Sequence, residues 1–493
     1  MKQAVLFSIL IFSISIQVSA QVENLSELAL FNRCYANITG TRLPFKHPLR
    51  ASVVSRTLTA VNACMQVLDS GKLNSSPASA EGRMASDTPQ GRLVLQRFND
   101  FHRTWFPTDD FGAALPQGLT FNALTRFIYD QGESALHVTR TLFTAGVNYS
   151  DVVVGKYSME ALRTSGPIQN PGAPPKPTPT TYFANKSIGL KIALAQATSY
   201  TDPTRVYLQT ELVQFGDLLG LRPINLNPVK YNLSVIGTHK EGNYPRYMAS
   251  IKTHESLGGG FLGTKSYLLM NLGRSEYSPM DGGLRVPRRW ARAAINTLLC
   301  RDLPVIRRAD SEPFVQAAGI PFRQSTNCMQ CHASMDRFSY TARNISYNTI
   351  PMLTDAGNMQ ASVWPATEPA ETGQVTADNK FHLRPTNGVL FYRSYDGRLI
   401  DQNVKSIAEL GNAFAANNEM YVCAASRYFK FFTGIDVNLN DIGDTSKPTM
   451  TAAEIKYRDL VIALGIELKS TQSLRILIQK ILSSDIYRRS SLE

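Results

Sequence analysis

The sequence has one closely spaced cysteine pair where a zinc ribbon needs two. No strand–helix–strand pattern frames that pair as it would a thioredoxin-like dithiol. No internal repeat is present, and past the opening segment no apolar run reaches the roughly 20 residues of a membrane span. A phosphate loop is also missing: in GGGFLGTKS, Thr264 stands between Gly263 and Lys265, where that pattern puts lysine directly after glycine. A tight glycine turn is expected there instead. Paired carboxylates and a Ser-His-Asp set do not stand out either. These absences remove zinc-ribbon, redox-dithiol and nucleotide-binding readings and leave the single cysteine pair to carry the chemistry.

The chain that remains is ordinary in bulk. It is 43% hydrophobic and 9% aromatic, the composition of a folding globular sequence. Its 493 residues exceed the size at which single cores stop growing, so roughly two to four packed units are expected. The opening MKQAVLFSILIFSISIQVSAQ places Lys2 before an apolar run and ends that run in Val18, Ser19 and Ala20. This order predicts an export signal over residues 1–20, cleaved near Ala20, and a periplasmic or secreted mature chain without a transmembrane segment. The formal charge of +12 becomes +11 when Lys2 leaves. Such an excess fits an acidic redox partner or an anionic membrane surface, though in most chains it only aids solubility; nucleic acid is not expected outside the cytoplasm.

An oxidising compartment bears on the six cysteines. With Cys328 and Cys331 set aside, Cys34, Cys64, Cys300 and Cys423 allow three pairings. We favour Cys34 with Cys64, closing a local loop, and Cys300 with Cys423, tying the segment before the motif to the helix after it. Buried free thiols are the alternative.

Local patterns predict a mainly α, multi-segment helical protein with a small β-hairpin after the motif. Residues 21–165 read as an N-terminal helical domain, with amphipathic stretches at 122–131 and 133–146 and a polar surface loop near 74–89. Residues 166–181, GPIQNPGAPPKPTPTT, form a proline-rich linker. A middle helical domain over 182–300 ends in PRRWARAAINTLLCR, where Ala291, Ile295, Leu298 and Leu299 share a face. Arg288, Arg289 and Arg292 lie outside that apolar stripe, available to water or to the carboxylates of a bound group. Residues 301–400 hold the motif and then NGVLFYRSYDGRLID, a hairpin around Asp396 and Gly397. In the C-terminal helical domain, 401–493, Ser406 with Glu409 and Thr451 with Glu454 mark helix starts, the second helix ending near Gly465. The final helix presents Leu474, Leu477, Ile478, Ile481 and Leu482.

The segment STNCMQCHASMD contains C-x-x-C-H once. Thiols three residues apart on a helical turn can add to the two vinyl groups of one porphyrin, and the next residue offers its imidazole to the iron. Cys328 and Cys331 are thus the expected attachment points of one covalently bound haem c, with His332 as axial ligand of its iron. The propionates of that haem are the carboxylates to which Arg288, Arg289 and Arg292 are available. The single copy argues against a di-haem enzyme. Candidates for the opposite iron position are Met352, Met359 and Met420, then His254 and His382; Met335 is too close in sequence to His332 to reach across.

Several stretches together resemble the large planctomycete-type cytochromes, exported bacterial proteins built around one c-type haem motif. They are GGGFLGTKSYLL, SPMDGGLRVPRRWARAAINTLLCRDLP, CMQCHASMD, ELGNAFAANNEMYVCAASRYFKFFTGI and SSDIYRRS, with a weaker match at EALRTSG. The likeness spans about residues 100–490. It implies a mostly helical haem protein and carries over Cys328, Cys331 and His332. The cysteines of NTLLC and YVCAAS recur together in some relatives, which fits the pairing of Cys300 with Cys423. The family's usual D-P-x-G-F continuation is replaced here by Met335-Asp336 and RFSYTARN, so nothing about a distal ligand carries over.

Three functions follow as expectations. The first is an electron carrier with a redox partner protein. The second is a haem enzyme acting on peroxide, oxygen or a small organic substrate. The third is a binding protein with a structural haem. Length weighs against the simplest carrier, which needs only about a hundred residues.

Overall fold

The computed structural model describes residues 24–73, 83–84, 88–106, 129–130, 132–163, 208–209, 218–225, 233–238, 245–249, 257–264, 267–268, 271, 285–317, 321–342, 345–348, 360–363 and 386–490. The expected export signal and the expected proline-rich linker lie outside them, as do most of the loop near 74–89 and of the stretch 122–131.

Helices dominate, and their starts follow side-chain chemistry. Ser26 accepts from the Ala29 amide to open Glu27–Thr39, which Gly40 closes with a left-handed φ of 72°. Thr59 does the same for Ala60–Asp69, and Thr88, with Pro89 in the first turn, for Pro89–Arg103. Each cap contributes about 1 kcal/mol. Cys34 and Cys64 join Glu27–Thr39 to Ala60–Asp69 at a Cα separation of 6.1 Å, and Cys300 joins Cys423 at 5.2 Å. Both separations fall in the usual disulfide range. The favoured pairing is the observed one.

The expected C-terminal elements form. Ser406 caps Ile407–Ala416, and Thr451 and Glu454 make a reciprocal capping box on Ala452–Thr471. That helix does not stop near Gly465. It runs on to Gln472, which closes it with φ 55°. A Cβ at Gly465 would stand 2.5 Å from Val422 Cα, so this glycine lets Ala452–Thr471 approach Glu419–Thr433 closely instead of ending the helix. Leu474, Leu477, Ile478, Ile481 and Leu482 are all buried in Leu474–Ser483, which a further short helix, Asp485–Arg488, follows. The glycine turn is a packing device of the same kind. Gly258, Gly259 and Gly260 all have positive φ, and a Cβ on Gly259 or Gly260 would strike the carbonyl of Ile407 or Val152.

Residues expected in separate helical domains share one core, which includes Phe31, Phe98, Leu136, Trp290, Tyr428 and Ile478. The two ends of the chain are tied together across it. The Leu25 amide donates to the Arg488 carbonyl at 2.8 Å, and Arg475 grips Asp69 with two hydrogen bonds of 2.7 and 2.9 Å.

The hairpin pairs Gly388–Arg393 with Leu399–Val404, from Gly388↔Val404 to Arg393↔Leu399, around Gly397 at φ 82°. More strand is present than the helical reading of 21–165 and 182–300 allowed. Tyr157–Arg163 pairs with Leu218–Asn225, which also pairs with Arg83–Met84. Tyr129–Asp130 is extended beside Leu208–Gln209, and short ladders join Leu233–Thr238 to Pro245–Ala249 and Ile345–Asn348 to Gln360–Val363. In YSMEALR the helix-favouring Met, Glu, Ala and Leu are overridden by pairing. Met159 and Ala161, two residues apart on that strand, are both buried.

Candidate haem site

The C-x-x-C-H motif lies in the helix Thr326–Ser339, which follows a short turn at Pro321–Gln324. Spacings of three and four residues place Cys328, Cys331 and His332 on one face, and all three are half-buried. Met329 and Ala333 turn instead toward Ile306, Val389 and Phe391, forming an apolar cluster distinct from the main core, with Phe314, Val315 and Phe322 around it. The strand Gly388–Arg393 and the helix Arg285–Leu299 pack against the motif helix. The half-open cysteine face is therefore backed by ordered structure.

Cys328 and Cys331 carry free thiols, whereas the other four cysteines are bonded. Burial pushes the Cys331 thiol above its ordinary value, against the opposing pull of Arg292 and Lys447. A redox dithiol needs the reverse, a thiolate favoured by its surroundings.

His332 is held by a carboxylate. Its Nδ1 lies 3.1 and 3.2 Å from the two oxygens of Asp336, one helical turn on. Arg288, from Arg285–Leu299, donates to the same oxygens through Nε at 2.7 Å and Nη2 at 2.9 Å. An ionised carboxylate only accepts, so Nδ1 carries a proton, and in the neutral ring Nε2 carries the lone pair. Nε2 has no hydrogen-bond partner among the described residues. The Phe322 ring lies 4.4 Å from the imidazole at 33°, with the Arg288 guanidinium 5.7 Å from the Phe322 ring centre.

These residues fit a covalently held haem. Two free thiols one turn apart stand beside an imidazole whose remaining nitrogen is unengaged and whose tautomer is already the ligating one. Among the described residues no group of three or more His, Cys, Asp or Glu side chains is placed to hold a metal ion by itself.

Met420 is in the main core, in Glu419–Thr433, and not in the apolar cluster beside the motif. Met335 is half-buried on the motif helix and packs against the main core. His254, Met352, Met359 and His382 lie outside the described residues. Of the three arginines, Arg288 is committed to Asp336, Arg289 is exposed, and Arg292 is an exposed side chain 3.9 Å from Asp302. Sequence reasoning missed Asp336 and Phe322. Asp336 was signalled by its place four residues after the histidine, where helical geometry brings a carboxylate to Nδ1; Phe322 had no such signal.

Among the described residues no helix is long and apolar enough to cross a membrane. No protein-family model, curated protein or solved structure matches the chain.

Proposed function

We propose that the protein is an exported mono-haem c-type cytochrome that transfers electrons, with thioether bonds at Cys328 and Cys331 and His332 on the iron. The observation that carries this reading is the motif face itself. The two cysteines left out of the disulfides stand one turn apart, beside an imidazole with a free Nε2. When bound, the haem supplies a one-electron iron couple. The chain fixes that group to a helix docked on ordered structure, holds the imidazole in one tautomer, and keeps water from the helix's inner side with the cluster around Met329. Arg292 and Lys447 lie close enough to Cys331 to act on its thiol, which suits haem propionates or an acidic redox partner. The two disulfides suit the oxidising compartment implied by residues 1–20. The likeness to planctomycete-type cytochromes belongs to the same proposal.

The test is production with haem-maturation machinery, followed by haem staining after denaturing electrophoresis. Wild type is expected to keep its haem and the Cys328→Ala/Cys331→Ala double variant to lose it. A folded wild type that carries no haem would overturn the proposal.

A further inference from the structure

We propose that Asp336 is a positioning residue that makes His332 an electron-rich ligand, and that Arg288 limits this effect by sharing the carboxylate. The pair would then set the reduction potential of the iron. This inference rests on the haem reading above and deepens it.

The geometry has three parts. Asp336 receives the Nδ1 proton of His332 across both of its oxygens, at 3.1 and 3.2 Å. A carboxylate acceptor draws that proton and builds negative charge on the ring, which favours ferric over ferrous iron at Nε2. Arg288 meets the same oxygens at 2.7 and 2.9 Å and withdraws part of the charge that Asp336 would otherwise lend. The Asp336 side chain is only 10% exposed, so water screens these interactions weakly. Phe322, 4.4 Å from the imidazole, packs beside the ring whose orientation the Asp336 hydrogen bond fixes.

An ion pair with a purely structural role would be complete with Arg288 and Asp336 alone. The third hydrogen bond, from the ligand histidine, makes the pair act on the iron. Removing Asp336 and removing Arg288 must therefore have opposite effects, and Arg288 must act largely through Asp336.

The test is redox titration of the holo-protein and its variants. Asp336→Asn is expected to raise the potential, Arg288→Gln to lower it, and Asp336→Glu to restore most of the wild-type value. In the Asp336→Asn background, Arg288→Gln should shift the potential markedly less than it does alone. Covalent haem with potentials that do not move, that move in the same direction, or that add fully in the double variant would overturn the proposal and leave the c-type reading intact. Absence of covalent haem from wild type would overturn both. If Asp336→Asn does not fold, the sign of the Arg288→Gln shift still decides: a rise or no change refutes the proposal.

Discussion

The main core and the motif cluster are built by different means. The core gathers helices from both ends of the chain around buried aromatics such as Phe31, Phe98 and Tyr428. Both disulfides attach to its helices. Among the described residues the motif cluster buries Ile306, Met329, Ala333, Val389 and Phe391. Around it stand arginine–aspartate pairs: Arg288 with Asp336, Arg307 with Asp441, Arg393 with Asp310, and Arg337 with Asp401. Apolar area gives the core its stability, while ion pairs and a small cluster fix the position of a half-open face. A helix that must present two thiols and an imidazole outward cannot also bury that face in its own protein.

The largest expected effects fall in the core. Gly465→Leu sets a side chain against the Val422 backbone, and Phe98→Ala empties a fully buried aromatic site. Phe98→Ala should cost about 3–5 kcal/mol and Gly465→Leu about 3 kcal/mol in chemical denaturation. Met329→Ala in the motif cluster should cost about 2–3 kcal/mol. A Met329 loss larger than the Phe98 loss would break the comparison.

Acid should separate the two regions next. His102 is buried, donates through Nδ1 to Thr139 at 2.8 Å and accepts from the Tyr428 hydroxyl at 2.6 Å. The Thr139 hydroxyl is committed to the Ala135 carbonyl, which fixes that tautomer. Burial pushes His102 down to about 3, against about 6.5 in an unfolded chain. Between these values the unfolded chain takes up a proton that the folded chain refuses. Stability is therefore full above about pH 6.5 and falls with pH by up to about 1.4 kcal/mol per unit. His102→Gln should flatten that slope in stability measured between pH 6.5 and 4.

The aspartates near the motif respond later. The Arg393 hydrogen bond holds Asp310 below the ordinary carboxylate range. At Asp441 burial pushes upward, but hydrogen bonds from Arg307 and the Gly443 amide outweigh it. Their contribution is present above about pH 4 and is lost as pH falls through their lowered values. The smallest effect is expected from Arg393→Met, about 1–2 kcal/mol at low salt and less at high salt. An effect indifferent to salt would mean that packing, not charge, holds this pair.

Much of this was legible where chemistry is local. The capping residues Ser406 and Thr451, the Asp396-Gly397 turn and the stripe from Leu474 to Leu482 each act within a few residues. The motif face followed from helical spacing alone. Gly465 misled because a glycine that ends a helix and one that admits a neighbouring helix look alike until Val422 is in place. YSMEALR misled because strand pairing with Leu218–Asn225 outweighs side-chain propensity. Arg288 and Asp336 stand 48 residues apart, and only the packing of two helices joins them.

The haem content of the unfolded protein decides whether the group is covalently attached. Holo-protein should be denatured without reductant and extracted with acidified organic solvent, and the haem remaining with the chain should be measured. One haem per chain that resists extraction, together with no free thiol, is the predicted result. Extractable haem, or two free thiols at Cys328 and Cys331 in the same preparation, would contradict it.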